Sequence, residues 1–299
     1  MKKILIASTA LVLAAGTASA DVTLAGGGYF GIKHDASVAA PTNKTQLIDR
    51  LQIDITGSKT TDSGLTFHGH FRIRSNAYHA TTTPVNAGQV GITAGGLDVS
   101  VGNVSDAIDA LSLYWNSEIG LCGCGGETLQ NGIVGYSSTG TGNNGVLATY
   151  TMGSLVVRAG YQSEGNTSAS THESSLSVAY KAGALSFELG GLHQNGSGSA
   201  ETAVVEYALG NSNIGLAYGH NGWDAYGNIV TLYGNTKFGA TTVQAFVSHS
   251  SKLAIATGTK TTYGVGASYD LGSGAAVVGS VRQQYAKKMY ADLGVKFSF

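Results

Sequence analysis

The last eleven residues, Met289 to Phe299, constrain this chain more than any other stretch. Ala291, Leu293, Val295, Phe297 and Phe299 alternate with Tyr290, Asp292, Gly294, Lys296 and Ser298. Such period-two alternation describes a strand with one apolar face and one wet face. A strand running to a terminal aromatic must be paired along both edges, or it leaves a row of unmet backbone groups. The natural partner is the stretch Val22 to Lys33, where Val22, Leu24, Gly26, Gly28, Phe30 and Ile32 share one face. Pairing first strand to last closes a sheet into a cylinder, with Phe299 at the closure.

The chain between these two strands repeats their pattern. Leu51, Ile53 and Ile55 oppose Arg50, Gln52 and Asp54, and Leu65, Phe67, Gly69, Phe71 and Ile73 oppose Thr66, His68, His70, Arg72 and Arg74. Alternating segments follow from Gly88 to Ala94 and Leu97 to Gly102, then in pairs through Val146–Tyr161, Ser174–His193, Thr202–His220, Ile229–His249 and Thr262–Arg282. With the last strand they make sixteen, joined by seven tight reversals and eight longer polar connections. Strands of about 10 residues and turns of about 3 leave roughly 100 residues for the longer connections.

Composition decides which kind of β-protein this is. Only 12% of residues are charged and the net charge is −1, with 44 Gly, 15 Tyr and 2 Pro. A soluble domain carries about 25% charge. No stretch beyond residue 20 holds the 18 or so consecutive apolar residues of a membrane helix. An even set of short strands with short and long connections in alternation is the signature of a transmembrane antiparallel β-barrel, whose apolar residues hide on alternate positions. Tyr150, Tyr161, Tyr180, Tyr207, Tyr218, Tyr263 and Tyr269 lie on the apolar phase near strand ends, where an aromatic girdle belongs. The near-neutral charge excludes nucleic acid as a partner. Residues 1–20 read as a secretory signal: Lys2 and Lys3, an apolar run from Ile4 to Ala15, then Ala18-Ser19-Ala20, leaving residues 21–299 as the barrel domain.

One connection breaks the rhythm. Asn103 to Gly145 spans about 43 residues, well beyond the roughly 15 at which a loop calls for a function. It carries Leu111, Leu113, Tyr114, Trp115, Ile119 and Leu121, which want burial, and Asp106, Asp109, Glu118 and Glu127 with no Lys or Arg. A sixteen-stranded barrel has a lumen too wide for wall side chains to fill, so this third long loop is expected to fold inward and narrow it. The polar phase opposite is basic: Lys33, Arg50, His68, His70, Arg72 and Arg74 on the first three strands, Arg282 and Lys296 on the last two. A basic wall facing an acidic loop sets a transverse field at a constriction. If His68 and His70 face that constriction, cation selectivity should fall as pH drops toward about 6.

Thr60–Phe67 (T-T-D-S-G-L-T-F), Gly264–Ala275 (G-V-G-A-S-Y-D-L-G-S-G-A) and Ala291–Phe299 (A-D-L-G-V-K-F-S-F), with the D-V-T-L-x-G start at Asp21–Gly26, resemble the general porins of alphaproteobacteria of the Rhodobacter type. The resemblance covers the chain from Asp21 onward and is strongest in its last 40 residues. It implies a homotrimer of sixteen-stranded barrels, each with its third outer loop as an inward eyelet, and passive diffusion of small hydrophilic solutes and ions. It sets Arg50, Arg72 and Arg74 on the wall against Asp106, Asp109 and Glu118 on the loop. Outer-membrane lipid and lipopolysaccharide would surround such a barrel, and the barrel-assembly machinery would take its terminal strand at Phe299. The residues themselves call for no cofactor; a bound calcium ion is what the resemblance adds. The pair Cys122 and Cys124 departs from the family, and the third loop is poorer in acids than the resemblance leads one to expect.

Other signals lead nowhere. Gly140 to Gly145 spells G-x-G-x-x-G but opens a strand, not a helix, which fails the dinucleotide context. Cys122 and Cys124 have neither a second pair nor an adjacent His, so no zinc set forms. His172 with Glu173 and His220 with Asp224 offer the rival reading of an outer-membrane enzyme, without a nucleophile in a recognisable setting. A substrate-specific channel would carry a track of lumenal aromatics, and only Tyr29, Tyr233 and Phe246 are scattered on the polar phase. An adhesin would carry several long outer loops.

Overall fold

The computed structural model describes residues 20–76, 84–121, 138–140, 142, 144–163, 171–221, 227–252 and 256–299. The strands are β1 (Asp21–Asp35), β2 (Thr45–Thr60), β3 (Thr66–Asn76), β4 (Gln89–Ala94), β5 (Leu97–Gly102), β6 (Asn144–Met152), β7 (Leu155–Ser163) and β8 (His172–Ala182). They continue with β9 (Leu185–Gln194), β10 (Gly198–Leu209), β11 (Ser212–Asn221), β12 (Ile229–Phe238), β13 (Thr241–Ser250), β14 (Thr261–Gly272), β15 (Ala275–Gln283) and β16 (Met289–Ser298). Each strand pairs antiparallel with its sequence neighbours, and β16 returns to β1 to close the barrel.

Closure is carried by the chain ends. The β1–β16 ladder runs from Gly27 opposite Ser298 to Asp35 opposite Tyr290. Past its end, Phe299 N–H donates to the Gly26 carbonyl and Gly26 N–H to the Phe299 carbonyl, both at 2.9 Å. The Phe299 ring stacks on Phe297 at 6.3 Å. Gly26 lets it approach: a Cβ there would stand 2.5 Å from the ring. Among the described strands no edge remains to template aggregation.

Alternation sorts the faces as the sequence predicts. Leu24, Phe30, Leu51, Phe67, Leu189, Leu232 and Leu293 are exposed on the outside, where lipid covers them. All seven tyrosines singled out above are exposed on that face too. They form two girdles: Tyr150, Tyr180, Tyr207 and Tyr269 lie beside the tight turns, and Tyr161, Tyr218 and Tyr263 beside the long connections. Among the tight reversals, Gly95 and Gly96 hold φ of 53° and 88°, the left-handed pair a two-residue hairpin needs.

One of the eight longer connections is corrected. β9 and β10 extend further than their apolar cores suggest, so only three residues, 195–197, join them. The polar run through Ser199 and Glu201 concealed the strand, and Gly196, at φ 78°, makes the reversal.

A belt around the lumen and the charged arc it faces

The third long connection does fold inward, and its described limb, residues 103–121, lies along the wall as a belt. Successive belt residues are tied to successive strands. Gln162 on β7 donates to the Val104 carbonyl (2.9 Å), and Ala107 N–H donates to Ser175 Oγ on β8 (3.0 Å). Glu188 on β9 accepts from Ser112 N–H, Ser112 Oγ and Leu113 N–H at 3.0, 2.7 and 2.8 Å. Asn116 Nδ2 donates to Glu206 on β10 (2.9 Å), and Leu121 N–H to Asp292 on β16 (3.0 Å). The wall carboxylates satisfy amides that this short, mostly irregular limb cannot pair within itself; its one helical turn is 3₁₀, Leu113–Trp115.

Between these ties the belt buries its apolar side chains. Ile108, Leu111, Leu113, Tyr114 and Ile119 form one cluster with Leu192, Ala200, Val204, Ala217, Tyr233 and Phe246 of β9 to β13. Leu121 is fully buried against Tyr29 and Ile48. The lumen is wet, so this burial gains the ordinary hydrophobic stabilisation, unlike contacts on the lipid side. Close approach needs wall positions without side chains: a Cβ at Gly294 would stand 2.6 Å from Leu121, and one at Gly264 2.7 Å from Ile119.

The belt therefore follows the wall from β7 round to β1. The arc to which the described limb makes none of these hydrogen-bond ties, β2 to β5, carries the basic residues the sequence places there. They stand in a hydrogen-bonded mesh with carboxylates. Arg74 donates twice to Gln52 Oε1 (2.9 and 2.6 Å), and Gln52 donates in turn to Asp54 (2.5 Å). Asp54 also accepts from Arg72 Nε (2.7 Å) and meets His70 Nε2 at 3.0 Å. His68 Nε2 lies 2.7 Å from Asp98. Arg50 donates to Asn76 (2.8 Å), with its guanidinium 5.1 Å from the Tyr29 ring centre. Arg72 Nη1 reaches Ser138, on the loop's far limb, at 3.4 Å. The signs thus do not segregate by segment as the sequence suggests: Asp54 and Asp98 sit inside the basic arc.

The remaining sequence-predicted residues scatter. Lys33 is buried, opposite Asp292 in the β1–β16 register, so it does not line open lumen. Lys296 is exposed inside the barrel. Asp106 is not aimed across the lumen: it is 1% exposed, and its Oδ1 accepts the amides of Ile108 and Asp109 at 2.7 and 2.8 Å. Burial pushes its carboxyl up to about 6, with Asp109 adding to the rise. Burial raises Asp109 as well. Glu118 is pushed up to about 7 by burial, against the pull of Arg282 and Lys296. Glu127, Cys122 and Cys124 lie outside the described residues. The anchors Glu188, Glu206 and Asp292 escaped the sequence reading, because a single inward carboxylate on a strand looks the same whether it meets water or an amide.

Glu118 sets a pH response. A carboxyl raised to about 7 is ionised above that pH and neutral below it, so acidification removes a negative charge from the lumen. Cation selectivity, read as reversal potential in a salt gradient, should fall between pH 8 and pH 6. Glu118→Gln should flatten that part of the profile. A full response retained by Glu118→Gln would clear Glu118 of the effect.

An even-stranded closed barrel with an apolar exterior, two aromatic girdles and a polar lumen narrowed from inside is a transmembrane channel of the outer-membrane class. The model of the Gram-negative porin family matches residues 7–288, and the chain belongs to that family. It is 32% identical to a porin of Fuscovulum blasticum over 93% of this chain and all of that one. It is 29% identical to a porin of Rhodobacter capsulatus over 84% of this chain and 92% of that one. Solved structures of engineered variants of Rh. blastica porin superpose with a TM-score of 0.86 at 30% identity, covering 93% of this chain and 100% of theirs. The protein is a general porin of the outer membrane, a water-filled channel for small hydrophilic solutes and ions.

Proposed function

We infer that solutes are sorted where the belt faces the β2–β5 arc, by size and by the fixed charges of Arg50, Arg72, Arg74, Lys296, Glu118 and Asp54. The observation that carries this reading is the belt itself: a loop tied strand by strand to the inner wall narrows the lumen permanently instead of swinging as a lid. In a low-dielectric-walled passage such charges act on permeating ions far more strongly than in bulk water. The porin works by diffusion and carries out no chemistry of its own. Among the described residues no three His, Cys, Asp or Glu converge, and no step uses the calcium ion that the resemblance implies.

The functional unit is a homotrimer. β4 and β5 have six residues each, whereas a spanning strand needs about 9–11. The wall is low there, while Val90 and Val101 are exposed on its outer side. A second copy packed on this arc would cover backbone and side chains that lipid alone meets poorly. The leader at residues 1–20 directs export, the terminal strand at Phe299 serves the barrel-assembly machinery, and lipopolysaccharide contacts the outer rim.

Planar-bilayer recording of the folded protein tests both parts. Stepwise openings in groups of three, with conductance proportional to bulk salt, are the expected result. Single steps would refute the trimer, and folded barrels without conductance would refute the open constriction.

A further inference from the structure

Trp115 breaks the rule that the rest of the barrel keeps. Among the described residues it is the one large apolar side chain exposed inside the lumen, at 43%. Its ring is held rigidly: Tyr114 packs edge-on with centroids 4.7 Å apart, and the indole N–H donates to the Asp109 carbonyl at 3.1 Å. It borders a cavity of about 630 Å³ on the tight-turn side of the belt, shared with Glu118, Lys237, Gln244, Asp270 and Lys296. A fixed indole costs little entropy when a flat ring stacks on it.

The charges around it are unequally served. Asp270 Oδ1 already accepts the Gly272 amide (2.8 Å). Glu118 faces Arg282 as well as Lys296, and its burial keeps it partly protonated near neutral pH. Among the described residues neither Lys237 nor Lys296 forms a salt bridge. The cavity therefore offers an aromatic platform with two ammonium groups on its lining.

Resting on the porin reading and deepening it, we propose that this cavity is a subsite for small aromatic carboxylates, the ring on Trp115 and the carboxylate on Lys296 and Lys237. Such solutes linger beneath the belt during permeation, and their flux saturates where that of acetate does not. One platform gives weak, transient binding, distinct from the multi-ring track of a dedicated channel.

The test uses folded full-length barrels carrying Trp223→Phe, so that Trp115 is the only tryptophan, with benzoate as probe. Benzoate should change the indole emission saturably, with a midpoint on the order of millimolar. Acetate and benzyl alcohol, each lacking one half of the recognition, should leave it unsaturated. Lys296→Gln should raise the benzoate midpoint by about tenfold, the loss of one charge-assisted contact, and Lys237→Gln should raise it too. A linear response, an equal response to acetate, or midpoints unmoved in both lysine variants would overturn the proposal. Conductance without benzoate is recorded alongside. Normal conductance with a flat emission titration removes the subsite alone, whereas folded barrels that do not conduct remove the channel reading itself.

Discussion

Ile108→Ser combined with Leu111→Ser is expected to release the belt and raise both single-channel conductance and the size of the largest poly(ethylene glycol) that enters. Both side chains are 1% exposed, and both contribute to the cluster that binds the belt to β9–β13. Truncating a buried aliphatic side chain costs roughly 2–5 kcal/mol, and the serine hydroxyls add polar groups without partners. Since each 1.4 kcal/mol or so is a factor of ten in population, two such losses are comparable with the whole hold of the amide ties to Ser175, Glu188 and Glu206, at about 1 kcal/mol each or somewhat more for the carboxylates. The barrel ladder takes no part, so thermal unfolding of the sheet should stay near that of the parent. Unchanged conductance and an unchanged size limit would show that the belt does not set the constriction.

Asp54→Asn should produce the largest shift in ion selectivity, toward anions, and Arg72→Gln should move it the other way. Asp54 is the hub of the basic arc, with Gln52, His70 and Arg72 all directed at it. Removing its charge takes a carboxylate from beside Arg72, 2.7 Å away. A change of about 1 kcal/mol in the potential met by an ion alters the permeability ratio roughly fivefold. Asparagine keeps the shape and one acceptor, so the mesh should persist. The two residues form one ion pair, so the double variant, which loses one charge of each sign, should return near the parent. Equal reversal potentials for the parent and Asp54→Asn would place the arc outside the ion path.

Much of this was legible in the sequence for one reason: a barrel wall is a local object. The two-residue period that puts Leu51, Ile53 and Ile55 outside also puts Arg50, Gln52 and Asp54 inside, and no distant contact is needed to decide it. The tyrosines of the girdles follow from the same phase. The β9–β10 connection was misjudged where polarity failed on both phases at once. The long third loop announced its inward fold through Leu111, Ile119 and Leu121, apolar residues with no strand to carry them.

The sequence by itself determined the sixteen strands, which face of each meets lipid, the closure of β1 on β16, and which loop enters the lumen. Tertiary structure alone decided what that loop does there. Asp106 turned inward to its own amides, Glu118 came to face Arg282 and Lys296, and Trp115 was left bare above a cavity. Asp54 and Asp98 became partners of the cations that the sequence had set against the loop. The physical reason is one of range. Alternation is imposed by the backbone within a few residues, whereas whether Glu188, Glu206 or Asp292 anchors the belt depends on a chain segment 75 to 171 residues away.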